Sequence, residues 1–306
     1  AHLLVLPIVG ASHWIDLRDR AETAGPIIAA TSTVVVSPGA SRAVAIDHEG
    51  AAFALVPGTR DRVQLGNDIA LAQFLDEHRV ALANRRGRIV VHDLATGTTA
   101  ERCPERAGPR ILLANADELA VVYVDAVTRV DAGGCHAYSL AGVRGAYLDR
   151  DSRLYLAIGS TLFAWPTNGL IAPHTVLPAP ILGLLVFDDD HLGLDTEDAG
   201  YVVTTATPGQ PSRTVHLGTI VTPGFQRETA WSNAAGERSG VLVIPGGGNA
   251  AVVDGTTGAM WSVDVPVSLL AGDVLIARHQ DRVATLPLAL PRSKLATLGQ
   301  LGANQR

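Results

Sequence analysis

Positive charge is scarce and scattered in this sequence of 306 residues. Lys294 is the only lysine, arginine supplies the remaining positive charges, and the formal net charge is −6. One short basic run stands out, Arg85-Arg86-Gly87-Arg88, and no neighbouring segment extends it. Proteins that bind nucleic acids usually carry a basic stripe or a high isoelectric point. We therefore expect no nucleic-acid partner. The preference for arginine over lysine suggests a GC-rich bacterial genome.

Long hydrophobic runs are missing, although the mean hydropathy of +0.22 is high for a soluble protein. Asp, Arg, Gly or Pro interrupts every apolar run well before the ~18 residues that a membrane-spanning helix needs. No stretch of helical length repeats its apolar residues with a period of ~3.6. The sequence therefore predicts neither a membrane partner nor a helical fold.

Cysteine is limited to Cys103 and Cys135. Two cysteines in a chain of this length are not the disulfide framework of a small secreted domain, and neither lies in a spacing that binds metals. Both fall at the outer edges of neighbouring repeat units, which are described below. A disulfide between them is geometrically possible, but nothing in the sequence requires it. We favour a cytoplasmic location over a periplasmic or secreted one.

Catalytic and metal-binding motifs are also missing. No G-x-S-x-G elbow occurs, and Gly246–Gly248 lacks the Gly-Lys-Ser/Thr and helix of a phosphate-binding loop. The acidic segments 188–191 and 195–198 lack the alternating spacing of a calcium loop. We expect no enzyme activity, no metal and no cofactor.

What the sequence does contain is a repeat of about 37–40 residues, the signature of a repeat architecture. Each unit has an apolar strand, a tight polar turn with Asp, Ser or Gly, and a second apolar strand that opens with Arg or His. Alternating and β-branched apolar residues predict strands. The clearest copies are residues 34–45, 74–81, 147–154, 186–192 and 277–284; a weaker copy is 113–119, and 231–241 is a copy with an expanded turn.

A third and a fourth strand complete the unit. In the second copy the third strand continues into Val91-His92-Asp93-Leu94-Ala95-Thr96-Gly97. This run and the turn pattern resemble WD-repeat proteins and their bacterial WD-like relatives, over nearly the whole chain. The hallmark Gly-His and Trp-Asp dipeptides are missing, and His92-Asp93 is the nearest substitute. The resemblance implies an all-β fold of four-stranded antiparallel blades in one closed β-propeller.

Closure of the ring follows from the two ends of the chain. Residues 273–290 match the first two strands of the unit, and residues 1–20 match its last two strands. A shared closing blade would hide the edge strands of both halves. We therefore predict a propeller over residues 1–291 with a tail over 292–306. Seven blades fit this reading best, and eight blades with two incomplete ones are the alternative.

A candidate partner site follows from the expected geometry, because the turns between second and third strands share one face of a propeller. Opposite charges on one rim steer a partner of complementary pattern. The residues predicted to contact it are Arg85, Arg86, Arg88, His48, Glu49, Asp195 and Glu197.

The predicted function is non-catalytic. We expect a protein-interaction, sensor or scaffold module of a larger bacterial protein, whose partner is another protein or a neighbouring domain of the same polypeptide. The alternative is a propeller enzyme of the lyase or glycosidase type. That alternative needs ionisable side chains that converge at the mouth of the central channel.

Overall fold

The computed structural model of the protein shows regular structure that is entirely β-strand in the residues it describes. Within these residues no helix is long and apolar enough to cross a membrane. The described residues are 2–5, 12–16, 19, 21–28, 31–39, 41–103, 105–106, 108–115, 118–131, 133–167, 169–188, 190–197, 199–205, 213–218, 235–237, 241–245, 250–254, 260–263, 267–271, 274–279 and 282–287.

The chain divides into two compact units, and the first comprises residues 1–143 and 150–152. It contains four antiparallel sheets, each with its strands in chain order. Sheet A has β1 (His2–Val5), β2 (His13–Asp16) and β3 (Glu22–Ala24). Sheet B has β4 (Thr31–Val36), β5 (Ala43–Asp47), β6 (Ala52–Leu55) and β7 (Arg62–Gly66). Sheet C has β8 (Ile69–Phe74), β9 (Arg79–Asn84), β10 (Ile89–Asp93) and β11 (Thr99–Cys103). Sheet D has β12 (Ile111–Asn115), β13 (Glu118–Val122), β14 (Ala126–Asp131) and β15 (Gly134–Ser139).

The second unit comprises residues 144–149 and 153–306 and holds four more sheets. Sheet E has β16 (Val143–Leu148), β17 (Leu154–Ile158), β18 (Thr161–Trp165) and β19 (Ala172–Val176). Sheet F has β20 (Ile181–Asp188), β21 (His191–Thr196), β22 (Gly200–Thr204) and β23 (Thr214–Gly218). Sheet G has β24 (Ala235–Glu237), β25 (Val241–Pro245), β26 (Ala250–Asp254) and β27 (Met260–Val263). Sheet H has β28 (Val267–Ala271), β29 (Val274–His279) and β30 (Arg282–Pro287).

Burial changes from one strand to the next within a sheet. The second strands β5 and β13 are buried at every residue, whereas the fourth strands β7 and β11 are mostly exposed. A strand that is covered on both faces needs apolar side chains on both, which explains the uninterrupted apolar runs of the second strands. The core therefore lies between successive sheets. One cluster joins Val44 and Ile46 of sheet B to Leu82 of sheet C.

The predicted hairpins agree with the structure at most repeat copies. Residues 34–45 and 74–81, for example, form the β4–β5 and β8–β9 hairpins. Six of the described sheets have four antiparallel strands, as the repeat predicts.

The two ends of the chain differ from the prediction in strand number. Sheets A and H each contain three strands where two were expected, because β3 and β28 were not recognised. Both missed strands are short, with 3 and 5 residues. The sharing of one blade by residues 1–20 and 273–290 stays a prediction. The predicted tail 292–306 and the glycines Gly246–Gly248 lie outside the described residues.

Candidate functional site

The turns that join second and third strands form a continuous rim in the first unit. We call the turns 48–51, 85–88 and 123–125, with the sheet-to-sheet linkers beside them, the turn rim. Backbone hydrogen bonds connect its parts: Ile69 N donates to Gly50 O over 2.8 Å, and Arg85 N donates to Asp68 O over 2.9 Å. Leu140 N donates to Asp125 O over 3.0 Å. Each turn is therefore tied to a neighbouring linker, and its backbone is held in place.

The last residue of the second strand orders the turn that follows it. Asp47 Oδ1 accepts hydrogen bonds from Glu49 N over 3.0 Å and from Ala51 N over 2.8 Å. Asn84 Oδ1 accepts one from Arg88 N over 2.8 Å. Asp and Asn side chains stabilise turns in this way, since they substitute for a backbone acceptor. The exposed side chains of the rim thus project from preformed turns.

Gly87 allows the closest backbone approach in the rim. Its φ of +81° lies in the left-handed region, and a Cβ at this position would stand 1.6 Å from Arg106 O. Only glycine fits both conditions. The linker that carries Arg106 therefore lies directly against the arginine turn of sheet C.

Two of the three predicted arginines of this turn are paired with carboxylates. Arg88 Nη2 and Nε lie 2.6 and 3.1 Å from Glu101 Oε2, and Arg85 Nε lies 3.8 Å from Asp68 Oδ1. Arg86 is exposed and has no ion pair or hydrogen bond among the residues that the structure describes. Exposed pairs of this kind contribute only about 0–1 kcal/mol, because water screens both charges. Arg86 is therefore the uncompensated positive charge of the turn.

Arg106 is a rim residue that the sequence interpretation missed. Its Nη2 donates to Asp125 Oδ1 over 3.2 Å, and its guanidinium carbon lies 5.5 Å from the centre of the Tyr123 ring. Burial raises the pKa of the Tyr123 hydroxyl. The repeat period places a linker beside each turn, but it carries no signal for which side chain reaches the rim.

The predicted pair His48 and Glu49 lies in the β5–β6 turn and is largely exposed. His48 Nε2 is 3.9 Å from Glu49 Oε1. Through the bonds at Gly50 and Asp68 this turn is joined to the arginine turn, so the structure brings five of the predicted residues onto one rim.

The other two predicted residues belong to the second unit. Glu197 is exposed in the β21–β22 turn, as expected. Asp195 lies inside β21 and is only 5% exposed. The placement of Asp195 in a solvated turn is therefore wrong: the strand continues to Thr196, and the carboxylate is covered. Asp189 and Asp198 of the same acidic segments lie outside the described residues.

The enzyme alternative needs ionisable groups with displaced pKa values. In the second unit, the described groups of this kind lie between sheets E and F. Burial lowers the pKa of His174 and raises that of Tyr155. The two rings pack edge to face with centroids 5.5 Å apart. His174 Nε2 also lies 3.0 Å from Thr204 O, and Arg153 donates to the Tyr155 hydroxyl over 3.1 Å. The contact between His174 and Thr204 joins the two sheets, whereas the other two contacts are made on the sheet E side.

The described residues contain no group of three or more His, Cys, Asp or Glu side chains arranged to hold a metal ion. Arg144 is exposed on β16, the first strand of sheet E, and Arg110 is exposed just before β12, the first strand of sheet D. Gln73 on β8 is half-buried. The absence of a metal and of catalytic activity stays a prediction.

Comparison with known proteins identifies the fold. The sequence matches no protein-family model. No curated protein matches it. The structure is similar to apo AztD from Citrobacter koseri, with a TM-score of 0.64 and 11% identity over 90% of this chain and 88% of that one. It is also similar to the β-propeller domain of Cps50 (Swd1) from Myceliophteria thermophila, with a TM-score of 0.58 and 12% identity over 85% and 98% of the two chains. A chain of the mitotic checkpoint complex gives a TM-score of 0.57 and 13% identity over 84% and 94%. The protein thus has a fold of the β-propeller type.

Proposed function

We propose that the protein is a non-catalytic interaction module, a scaffold or sensor, that binds a protein partner or a neighbouring domain at the turn rim. The observation that carries this proposal is that Arg85 and Arg86 lie on a turn held by backbone hydrogen bonds, with Arg106 on the linker that packs against this turn. A preformed surface loses little conformational entropy when it binds, so more of its contact energy appears as affinity. One structural neighbour, the mitotic checkpoint chain, is itself part of a multiprotein complex.

The chemistry of the rim favours a partner with carboxylates. Arg86 offers an exposed guanidinium that has no partner among the described residues, and arginine is enriched at interface hot spots. The exposed pairs Arg85–Asp68 and Arg88–Glu101 are weak enough to exchange their carboxylates for those of a partner. His48 and Glu49 add one titratable and one acidic side chain at the neighbouring turn. An acidic segment with some basic character would match this pattern.

Finer features of the fold belong to the same proposal. We infer a WD-like propeller of a bacterial protein that closes on itself, with seven blades or eight. The turn device supports the likeness, since Asp93 Oδ1 accepts hydrogen bonds from Ala95 N and Thr96 N over 2.9 and 3.1 Å within the Asp-Leu-x-Thr-Gly run. The hydrogen bonds that these two amides donate lower the pKa of the Asp93 carboxyl, and the bond from Thr96 N has the larger effect.

A charge-reversal experiment tests the rim. Arg86→Glu is compared with Arg60→Glu, which makes the same charge change at an exposed residue between β6 and β7 of sheet B. The probe is a fluorescein-labelled Glu-rich octapeptide, measured by anisotropy at several salt concentrations. Loss of one exposed charge pair of about 1 kcal/mol predicts roughly fivefold weaker binding for Arg86→Glu. Arg60→Glu should change binding less than twofold.

Two results would count against the proposal. Equal weakening by both variants would mean that the peptide responds to net charge and not to the rim. Unchanged peptide binding by the triple variant Arg85→Glu/Arg86→Glu/Arg88→Glu would show that the peptide binds at another surface. Melting temperatures of all variants serve as the control, because a variant that unfolds would identify its arginines as structural.

A further inference from the structure

Cys103 and Cys135 are bonded to each other in the structure. Cys103 is the last residue of β11 and Cys135 lies in β15, so the bond joins the fourth strands of two successive sheets. Their Cα atoms are 5.9 Å apart, a separation typical of disulfides. Since these are the only two cysteines in the chain, no free thiol remains.

The surroundings of the bond are those of a structural disulfide. Cys103 is 4% exposed and belongs to the apolar cluster between sheets C and D, where it packs with Ile89 and Leu112. Cys135 is half-buried and packs against the same cluster. Reactive disulfides are accessible and often occur as Cys-x-x-Cys, whereas these two cysteines are 32 residues apart and lie in different sheets.

The bond strengthens the sheet pair where other buried contacts are few. The first four residues of β11, Thr99 to Arg102, are exposed, and so are the last four of β15, His136 to Ser139. Only at the two cysteines do these outer strands reach into the apolar cluster. The disulfide therefore fastens sheet C, which carries the arginine turn, to sheet D at their outer edges.

We propose that the protein acquires this disulfide in, and works in, an oxidising compartment: the periplasm, the cell surface or the medium. Cytosolic reductants keep thiols reduced, so a structural disulfide whose Cys103 side is buried argues against the cytoplasmic location favoured by the sequence. The bond forms by thiol–disulfide exchange with an oxidant that carries a disulfide. The two cysteine thiols lose two protons and two electrons, and one disulfide of the oxidant is reduced to two thiols. The partner of the turn rim would then belong to the same compartment.

Thiol trapping in the cells that naturally produce the chain tests this proposal. Cells are quenched in acid, and the denatured protein is alkylated with N-ethylmaleimide and weighed by mass spectrometry. We expect no added maleimide before reduction and two after treatment with dithiothreitol. Protein that carries two maleimides without reduction would overturn the proposal, because its thiols would then be free in the cell.

A second experiment separates compartment from fold. The chain is exported to the periplasm of an expression host and, in parallel, retained in the cytosol. Closing the loop between the two cysteines predicts a melting temperature about 6 °C higher for the exported protein. The matched control Cys103→Ala/Cys135→Ala should melt at the same temperature from both compartments. An exported wild-type protein that keeps both thiols would also overturn the proposal.

Discussion

The buried ion pair between Arg129 and Glu118 gives the sharpest test of how sheet D is stabilised. Arg129 lies in β14 and Glu118 opens β13, and their side chains are only 5% and 7% exposed. Arg129 Nε donates to Glu118 Oε1 over 2.7 Å, and Nη2 donates both to that oxygen and, over 2.7 Å, to Ser152 O. Arg129 therefore joins two strands to a following turn.

Arg129→Met should remove these bonds and leave a buried carboxylate without its main counter-charge. Loss of one partner of a buried pair costs about 3–5 kcal/mol of the free energy of unfolding. Unfolding entropy is about 2.1 cal/mol/K per residue, so for 306 residues in one transition the melting temperature should fall by about 5–8 °C. Replacing both residues, as Arg129→Met/Glu118→Leu, removes the stranded charge and should recover most of the loss.

Urea unfolding followed by circular dichroism measures both variants, with Glu118→Leu completing a double-mutant cycle. We expect a favourable coupling of more than about 2 kcal/mol between the two side chains. A loss below about 1 kcal/mol for Arg129→Met would show that this pair is not effectively buried. A double variant as unstable as the sum of the single variants would show that the two charges do not interact.

Two further changes test other contacts between sheets of the first unit. Glu77 accepts hydrogen bonds from the hydroxyls of Ser41 and Ser37 and from Gly39 N, which lower its pKa from the ordinary 4.5 to about 2. A carboxyl whose pKa is lowered in the folded state stabilises the protein above pH 4.5, and this stabilisation is lost as the pH falls through 2. The wild type should therefore be more stable than Glu77→Gln at pH 7 and lose that advantage near pH 2. Urea unfolding at both pH values checks this, and an advantage that persists at pH 2 would contradict it. Deletion of residues 1–20 removes Trp14, which is 3% exposed and packs on Ala43, Ala45 and Leu55 of sheet B. We expect aggregation in size-exclusion chromatography, and a monomer with unchanged melting temperature would contradict both this packing and the proposed closure.

Local patterns were enough to predict most strands but not every element. The hairpins around 34–45 and 74–81 were visible because their second strands are buried on both faces and therefore continuously apolar. β3 was missed because its three residues, Glu22–Ala24, are all exposed and carry no apolar pattern. Arg129 offered a signal that was not used: a charged residue within the apolar strand 126–131 indicates a buried partner.

The candidate site shows the same division. The cationic turn at Arg85–Arg88 could be located from the sequence because turns between strands recur with the repeat. Its electrostatics could not, since Glu101 lies 13 residues from Arg88 and becomes its partner only when β11 pairs with β10. Asp195 was misplaced because a strand end is set by the ladder bonds of its neighbours, and β21 pairs through Thr196.

By itself the sequence determined the all-β class, the period of the repeat and the apolar second strands, because these depend on the alternation of side chains along a single segment. Tertiary structure decided which distant groups meet: Cys103 with Cys135, Arg129 with Glu118 and Ser152, and Gly87 with the backbone of Arg106. Such pairs depend on how successive sheets stack and how linkers cross the turns. No local pattern encodes that geometry, since the identity of a charged or small residue does not reveal whether it contacts water or a residue of another sheet.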